Sequence, residues 1–177
     1  MLGVTGTLPS GPPRRYDMPD TYPHILRKTE IDAAEFSFSH PWNPKSGIVG
    51  TMMGRLAGLE RTGVSLVRLP PGKESFAYHM HHREEEWVYV LSGKAVTTID
   101  GQEYVLDEGD FVAFPTPSVA HIMANRTDQE LTYLMGGENL PDEVADFPTL
   151  DRRMVKLNNE LSIYKLSDGQ PFFEGDA

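Results

Sequence analysis

Residues 71–93 read PGKESFAYHMHHREEEWVYVLSG, and the fold follows from how this stretch is parsed. Histidines stand at 79, 81 and 82, glutamates follow at 84, 85 and 86, and a run of alternating aromatic and aliphatic residues ends at Gly93. That alternation is the mark of a strand. On an extended segment His79 and His81 project to one face, where two adjacent imidazoles are poorly placed unless something binds between them. A metal ion suits that role.

Outward from this stretch, the same texture extends from Gly47 to about residue 140. Short runs rich in Val, Ile, Leu, Phe and Tyr fall near 48–56, 64–70, 75–81, 87–93, 94–100, 103–106, 110–115, 120–125 and 130–136, separated by glycine, proline or Asp-Gly. Asp100-Gly101 is a hairpin signal. Strand starts about eight to twelve residues apart, with no helical pattern between them, predict an all-β sandwich or barrel rather than βα units. Residues 1–46 are expected to form an N-terminal arm, with prolines at 9, 12, 13, 19 and 23, a helical or mixed stretch at 25–36, and Pro41 and Pro44 breaking any helix around Trp42. His40 to Trp42 is expected either to cap a pocket or, as the plainer reading, to cover a sheet edge. Residues 141–177 are expected to pack on the barrel as an extension, with one helical turn at 142–146 and a closing hairpin from 152–159 and 161–166.

The chain has 177 residues, enough for one cored domain with flanks, and no cysteine. Any metal must therefore be held by imidazole and carboxylate. A formal net charge of -10 argues against nucleic acid or an anionic membrane as partner. A small-molecule substrate is the expected partner. The first twenty residues lack the apolar run of a signal peptide, and no stretch has a membrane-spanning length of apolar residues, so a soluble cytoplasmic protein is expected.

A second candidate region is GDFVAFPTPSVAHIMAN, residues 109–125, where a proline-bounded loop leads into His121. Together the two stretches resemble the paired motifs of the cupin superfamily. Gly72, His79, His81, Glu86 and Gly93 match the first motif, with six residues between Gly72 and His79 where five are usual. Gly109, Pro115, His121 and Asn125 match the second, although Pro117 stands where glycine is common and one extra residue precedes the histidine. Fifteen residues separate the motifs and hold the KAVTTIDGQEYVL hairpin. The resemblance implies a double-stranded β-helix, the cupin jelly-roll barrel, over residues 47–140. It also implies one divalent transition metal ion, Fe, Mn, Zn or Ni, held by His79, His81, Glu86 and His121.

The carboxylate ligand is also argued from parity. If HHREE turns, counting back from Gly93 puts Glu86, Val88 and Val90 on an inner face and Trp87, Tyr89 and Leu91 on the outer one. Were the strand unbroken from His81, Glu85 would be the ligand instead. Glu84 is expected to be a solvated charge, and His82 a surface group or a neighbour of the ligands. Phe76, Tyr78, Phe111 or Phe114, Tyr133 and Met135 are candidate pocket walls, Met123 and Asn125 share the face of His121, and Arg55, Arg68 or Lys73 would clamp an anion if turned inward. The resemblance implies a metal-dependent enzyme acting on a small oxygen-rich metabolite, of the sugar-phosphate-isomerase type. The alternatives are an Fe(II)-dependent dioxygenase and a non-catalytic small-molecule-binding cupin. The apolar outer face of Trp87, Tyr89 and Leu91 predicts a homodimer.

Overall fold

The computed structural model describes residues 22–170, so the proline-rich part of the expected arm, residues 1–21, lies outside the described residues, as do residues 171–177. The first elements are a short helix α1 (Lys28–Ala33), β1 (Phe36–Phe38), β2 (Ile48–Thr51), a single helical turn α2 (Met53–Leu56) and β3 (Thr62–Leu69). The motif-bearing strands are β4 (Met80–His81), β5 (Glu86–Ser92), β6 (Ala95–Ile99), β7 (Gln102–Leu106), β8 (Phe111–Phe114), β9 (His121–Ala124) and β10 (Leu131–Glu138). The chain closes with β11 (Glu143–Phe147), β12 (Arg152–Leu157) and β13 (Glu160–Lys165). Among the described residues no helix is long and apolar enough to cross a membrane.

Three local features fix the strand connections. Asp100 and Gly101 both take positive φ, 48° and 74°, as a two-residue hairpin turn requires, and join β6 to β7. The polar HHREE segment does turn, so β4 and β5 are separate strands. Close approach of two strands explains Gly136: it pairs with Trp87, and a side chain there would collide with the indole.

The strands form two facing walls. One is a six-stranded sheet in the order β1-β2-β3-β10-β5-β8. The other joins the three-stranded sheet β7-β6-β9 to the four-stranded sheet β13-β12-β11-β4 through backbone pairing of His79 with His121. Between them Val67, Leu69, Val90, Leu131 and Tyr133 from the first wall meet Ala95 and Met123 from the second, all buried. This is an all-β barrel, as the alternation and spacing predict, in the jelly-roll form that the resemblance implies. Core burial of Val90, with Val88 packed on the same cluster, bears out the parity counted from Gly93.

Three expected elements differ. The strand expected at 75–81 is mostly irregular: the Ser75 N–H donates to Met123 O and the His79 N–H to His121 O, so four residues on one side span two on the other. His79 and His81 nevertheless stay on one face. The expected strand at 48–56 ends at Thr51, and Met53–Leu56 turns into α2. The helical turn expected at 142–146 is instead β11, because pairing with β4 on one side and β12 on the other outweighs a weak local preference. Residues 152–165 form the expected hairpin, β12 with β13.

Candidate metal centre

β4, β5 and β9 bring four side chains to one point inside the barrel. Glu86 begins β5, bonded between β10 and β8, and its carboxylate faces the opposite wall. His121 Nε2 and His81 Nε2 each lie 3.2 Å from Glu86 Oε2, and His79 Nε2 lies 3.8 Å from the same oxygen. The structure thus brings together His79, His81, Glu86 and His121. Glu85 is exposed and points elsewhere, which removes the alternative carboxylate.

The outer ring nitrogens settle which way these imidazoles are protonated. His79 Nδ1 is 2.8 Å from Ala77 O and His121 Nδ1 is 3.0 Å from Val119 O. A carbonyl oxygen only accepts, so each Nδ1 carries a proton and each Nε2 is the ring atom turned toward Glu86. His81 differs: its Nδ1 stands 3.5 Å from Glu143 Oε1, and neither ring nitrogen is aligned for a hydrogen bond although both are buried. An unpartnered buried nitrogen needs a ligand. His79, His81 and Glu86 lie close enough together to hold one ion, and with His121 Nε2 3.2 Å from the same Glu86 oxygen, three imidazoles and one carboxylate fit a divalent transition metal ion.

The electrostatics run the same way. Burial pushes His79 down to about 4, keeping it neutral at ordinary pH. Burial would also lower His81, but the Glu86, Glu143 and Glu84 carboxylates outweigh it and raise its pKa. Burial would raise Glu86, yet the His121 and His81 rings beside its carboxylate hold it well below the usual carboxylate range. The centre is an anion ringed by donors.

Neighbouring groups hold these rings in place. Phe114 lies flat on His121, with centroids 3.7 Å apart and planes within 7°. Phe147 stacks on His79 at 5.8 Å. The backbone of His81 is gripped by Ser118, whose Oγ accepts the His81 N–H at 2.7 Å and whose N–H donates to His81 O at 2.9 Å. Glu143 is the largest surprise. It is 1 % exposed, and its carboxylate accepts the backbone N–H groups of His82, Arg83 and Glu84 at 3.0, 3.3 and 2.8 Å. One buried carboxylate thereby shapes the whole turn between the ligand strands.

Several expected roles change. Glu84 is no solvated charge: its Oε1 accepts the Leu140 N–H at 2.8 Å and pairs with Lys156 Nζ at 2.6 Å. His82 faces away from the centre, with Nε2 2.8 Å from Asp146 Oδ2, and Arg153 holds the same carboxylate from the other side. Tyr78 is outside the chamber, its hydroxyl accepting the Gly101 N–H, and Phe111 is 60 % exposed against Trp87. Asn125 is buried but structural, donating to Leu69 O and Gln129 O. Arg68 is committed to Glu35 and Glu130, Arg55 lies in a cleft beside α2, and Lys73 packs over Gly47, so none reaches the centre. His40 and Trp42 pack on Phe147, with Arg152 4.4 Å above the indole ring, and Trp42 also lines a cavity beside Tyr78.

The remaining chamber is small, about 40 Å³, and is walled by Phe76, Val88, Phe114, Tyr133 and Met135 among others. Of the described residues that line it, none is lysine or arginine.

These features agree with what the chain is similar to. A sequence profile of the cupin domain matches residues 65–136. A candidate sugar phosphate isomerase from Acidithiobacillus ferrooxidans ATCC 23270 shares 35% identity with a TM-score of 0.80, covering 86% of this chain and 98% of that one. A sugar phosphate isomerase of the cupin superfamily from Silicibacter pomeroyi DSS-3 shares 29% identity with a TM-score of 0.68, covering 80% of this chain and 94% of that one. The chain belongs to the cupin superfamily. Quercetin 2,3-dioxygenase of Bacillus subtilis (strain 168) is 36% identical over 75 residues, 41% of this chain. The chain spans only about a fifth of that relative's length, 22%.

Proposed function

We propose that the protein is a metal-dependent enzyme in which His79, His81, Glu86 and His121 hold one divalent ion that binds the oxygen atoms of a small metabolite. The carrying observation is the convergence of three imidazole Nε2 atoms on one carboxylate oxygen, two of them with their Nδ1 protons already committed to backbone carbonyls. When bound, the ion supplies a Lewis-acidic coordination site open to oxygen donors. The rest of the work belongs to the chain. His79 stays a neutral donor, His121 turns its Nε2 to the same point, Glu86 stays anionic, Phe114 and Phe147 hold the ring planes, and the apolar walls exclude bulk water.

Between the two finer readings, the chamber favours dioxygenase-type chemistry on an uncharged substrate. An isomerase moving a carbon-bound proton needs a base beyond the metal ligands, and the other polar side chains of the chamber are Ser75, Thr97 and Tyr133. A sugar phosphate needs a counter-charge, which no described lining residue provides. The sugar-phosphate-isomerase reading is supported by similarity running nearly the full length of the two structures so named. A cytoplasmic homodimer completes the proposal, with Tyr89 and Leu91 of the outer β5 face in the contact.

Elemental analysis of the purified protein, followed by oxygen uptake and solvent proton exchange with substrate panels, separates these readings. Iron with oxygen consumption is the expected result, whereas exchange of a carbon-bound proton in a sugar phosphate without oxygen uptake would establish the isomerase. Metal binding undiminished in both His79→Ala and Glu86→Gln would remove the centre itself.

A further inference from the structure

The metal chamber is too small for more than two or three waters, so the body of any metabolite must lie beyond it. Directly adjoining is a second cavity of about 350 Å³, and the two share Phe76 and Met135 as a common neck. Its floor is Ile48 and Val67, and Phe36, Phe38 and Met52 form its outer part. Phe36 and Met52 are partly exposed, at 38% and 45%, whereas Ile48 and Val67 are buried, so the cavity runs from surface to neck. Among the described residues its only hydroxyls are Thr51 and Ser65, and Thr51 Oγ1 already donates to Ile31 O. None of the described residues that line it is charged.

The chamber side of the neck carries the complementary feature. Tyr133 is 1% exposed, and its hydroxyl is buried with no hydrogen-bond partner among the described residues. A buried hydroxyl left unpaired costs stability unless a bound molecule satisfies it. Tyr133 is one of the residues that line the chamber which the oxygen-bearing end of a ligand would enter.

We propose that the cavity between β1, β2 and β3 is a binding subsite for the neutral, ring-sized apolar body of a ligand whose oxygen atoms pass the Phe76–Met135 neck to the metal ligands and the Tyr133 hydroxyl. This deepens the metal-enzyme reading above and rests on it. The ligand class is an uncharged molecule with paired oxygen donors on an aromatic or cyclic aliphatic frame. Continuity through the shared neck identifies the occupant: the frame and the oxygen donors belong to one molecule.

Acetohydroxamate and benzohydroxamate test this, since both present the same pair of oxygen donors and differ in a methyl against a phenyl body. Calorimetric titration of the full-length zinc-loaded protein is expected to give at least about tenfold tighter binding of benzohydroxamate. Ser65→Phe, which fills the cavity from β3, is expected to abolish the difference between the two probes, and Tyr133→Phe to weaken both. Equal affinities in the wild type would overturn the subsite while leaving the metal centre standing. That would also be the outcome if residues 1–21 or a second copy of the chain filled the cavity. Failure of the protein to take up zinc would overturn the metal centre, whereas binding of neither probe by the zinc-loaded protein would overturn the open coordination position and the subsite with it.

Discussion

Tyr133 shows how a single hydroxyl can set stability against binding. Its ring belongs to the core, between Val67 of β3 and Val90 of β5, yet its oxygen has no partner and burial raises its pKa, so it remains a neutral donor. Removing a buried unsatisfied hydroxyl relieves a desolvation cost without opening a cavity. Tyr133→Phe is therefore expected to stabilise the ligand-free protein by about 1 kcal/mol in urea unfolding. A loss of stability would mean that the hydroxyl is already satisfied in solution. The four converging side chains follow the opposite logic, since their cost is met when a cation sits among them. His79, His81, Glu86 and His121 were all legible in the sequence because two-residue periodicity and motif spacing are local properties. Tyr133 was legible only as a possible wall, since an orphaned hydroxyl is a property of its surroundings.

At the scale of elements, β11 and β12 act as an outer brace for the ligand-bearing turn. Ala145 pairs with His81 and Asp146 with Met80, Glu143 binds three backbone amides of the turn, and Lys156 holds Glu84. Glu143→Gln replaces one of the two acceptor oxygens by an amide donor, which in either orientation faces at least one of the three backbone N–H groups. It is expected to cost about 2 kcal/mol of stability and to weaken metal affinity roughly 10–100-fold in chelator competition. Glu85→Gln, on the same turn but exposed, is expected to change neither. Unaltered affinity in Glu143→Gln would show that the turn holds its shape without the brace.

The same brace predicts an acid-sensitive step. The Arg153 guanidinium, followed by His82, holds the Asp146 carboxyl below the usual carboxylate range. A depressed folded-state pKa means that its stabilisation is present above the unfolded value of about 3.9 and is lost as pH falls below it toward the folded pKa. The stability difference between wild type and Asp146→Asn should therefore be constant near neutrality and shrink below about pH 4. A difference independent of pH down to pH 2 would contradict the assignment. Sequence alone pointed to a helical turn here, because EVADF carries no strong strand preference and its strand character comes from neighbours distant in the chain.

For the whole molecule, the outer surface of the six-stranded sheet carries Tyr89 beside Phe111, paired across β5 and β8 and exposed at 39% and 60%, with Leu91 at 37% further along β5. Exposed neighbouring aromatics of this kind support the proposed dimer. Sedimentation is expected to give a dimer at micromolar concentration and a monomer for Tyr89→Glu/Phe111→Glu. A monomeric wild type would exclude it.

By itself the sequence determined the all-β class, the Asp100-Gly101 hairpin and the inner and outer faces of β5, each written in the order and spacing of nearby residues, and its motif resemblance picked out the four side chains that converge. Only the tertiary structure decided that Glu143 and Lys156 brace the ligand turn, that Arg55, Arg68 and Lys73 stay outside, and that the metal chamber opens through Phe76 and Met135 into an apolar cavity. These depend on which strands pair across the barrel. Phe76 and Met135 are 59 positions apart in the chain and become neighbours through the register of β10 on β3 and β5 and the folding of residues 75–79 onto β9. Local periodicity chooses a side chain's face, whereas long-range pairing chooses what that face meets.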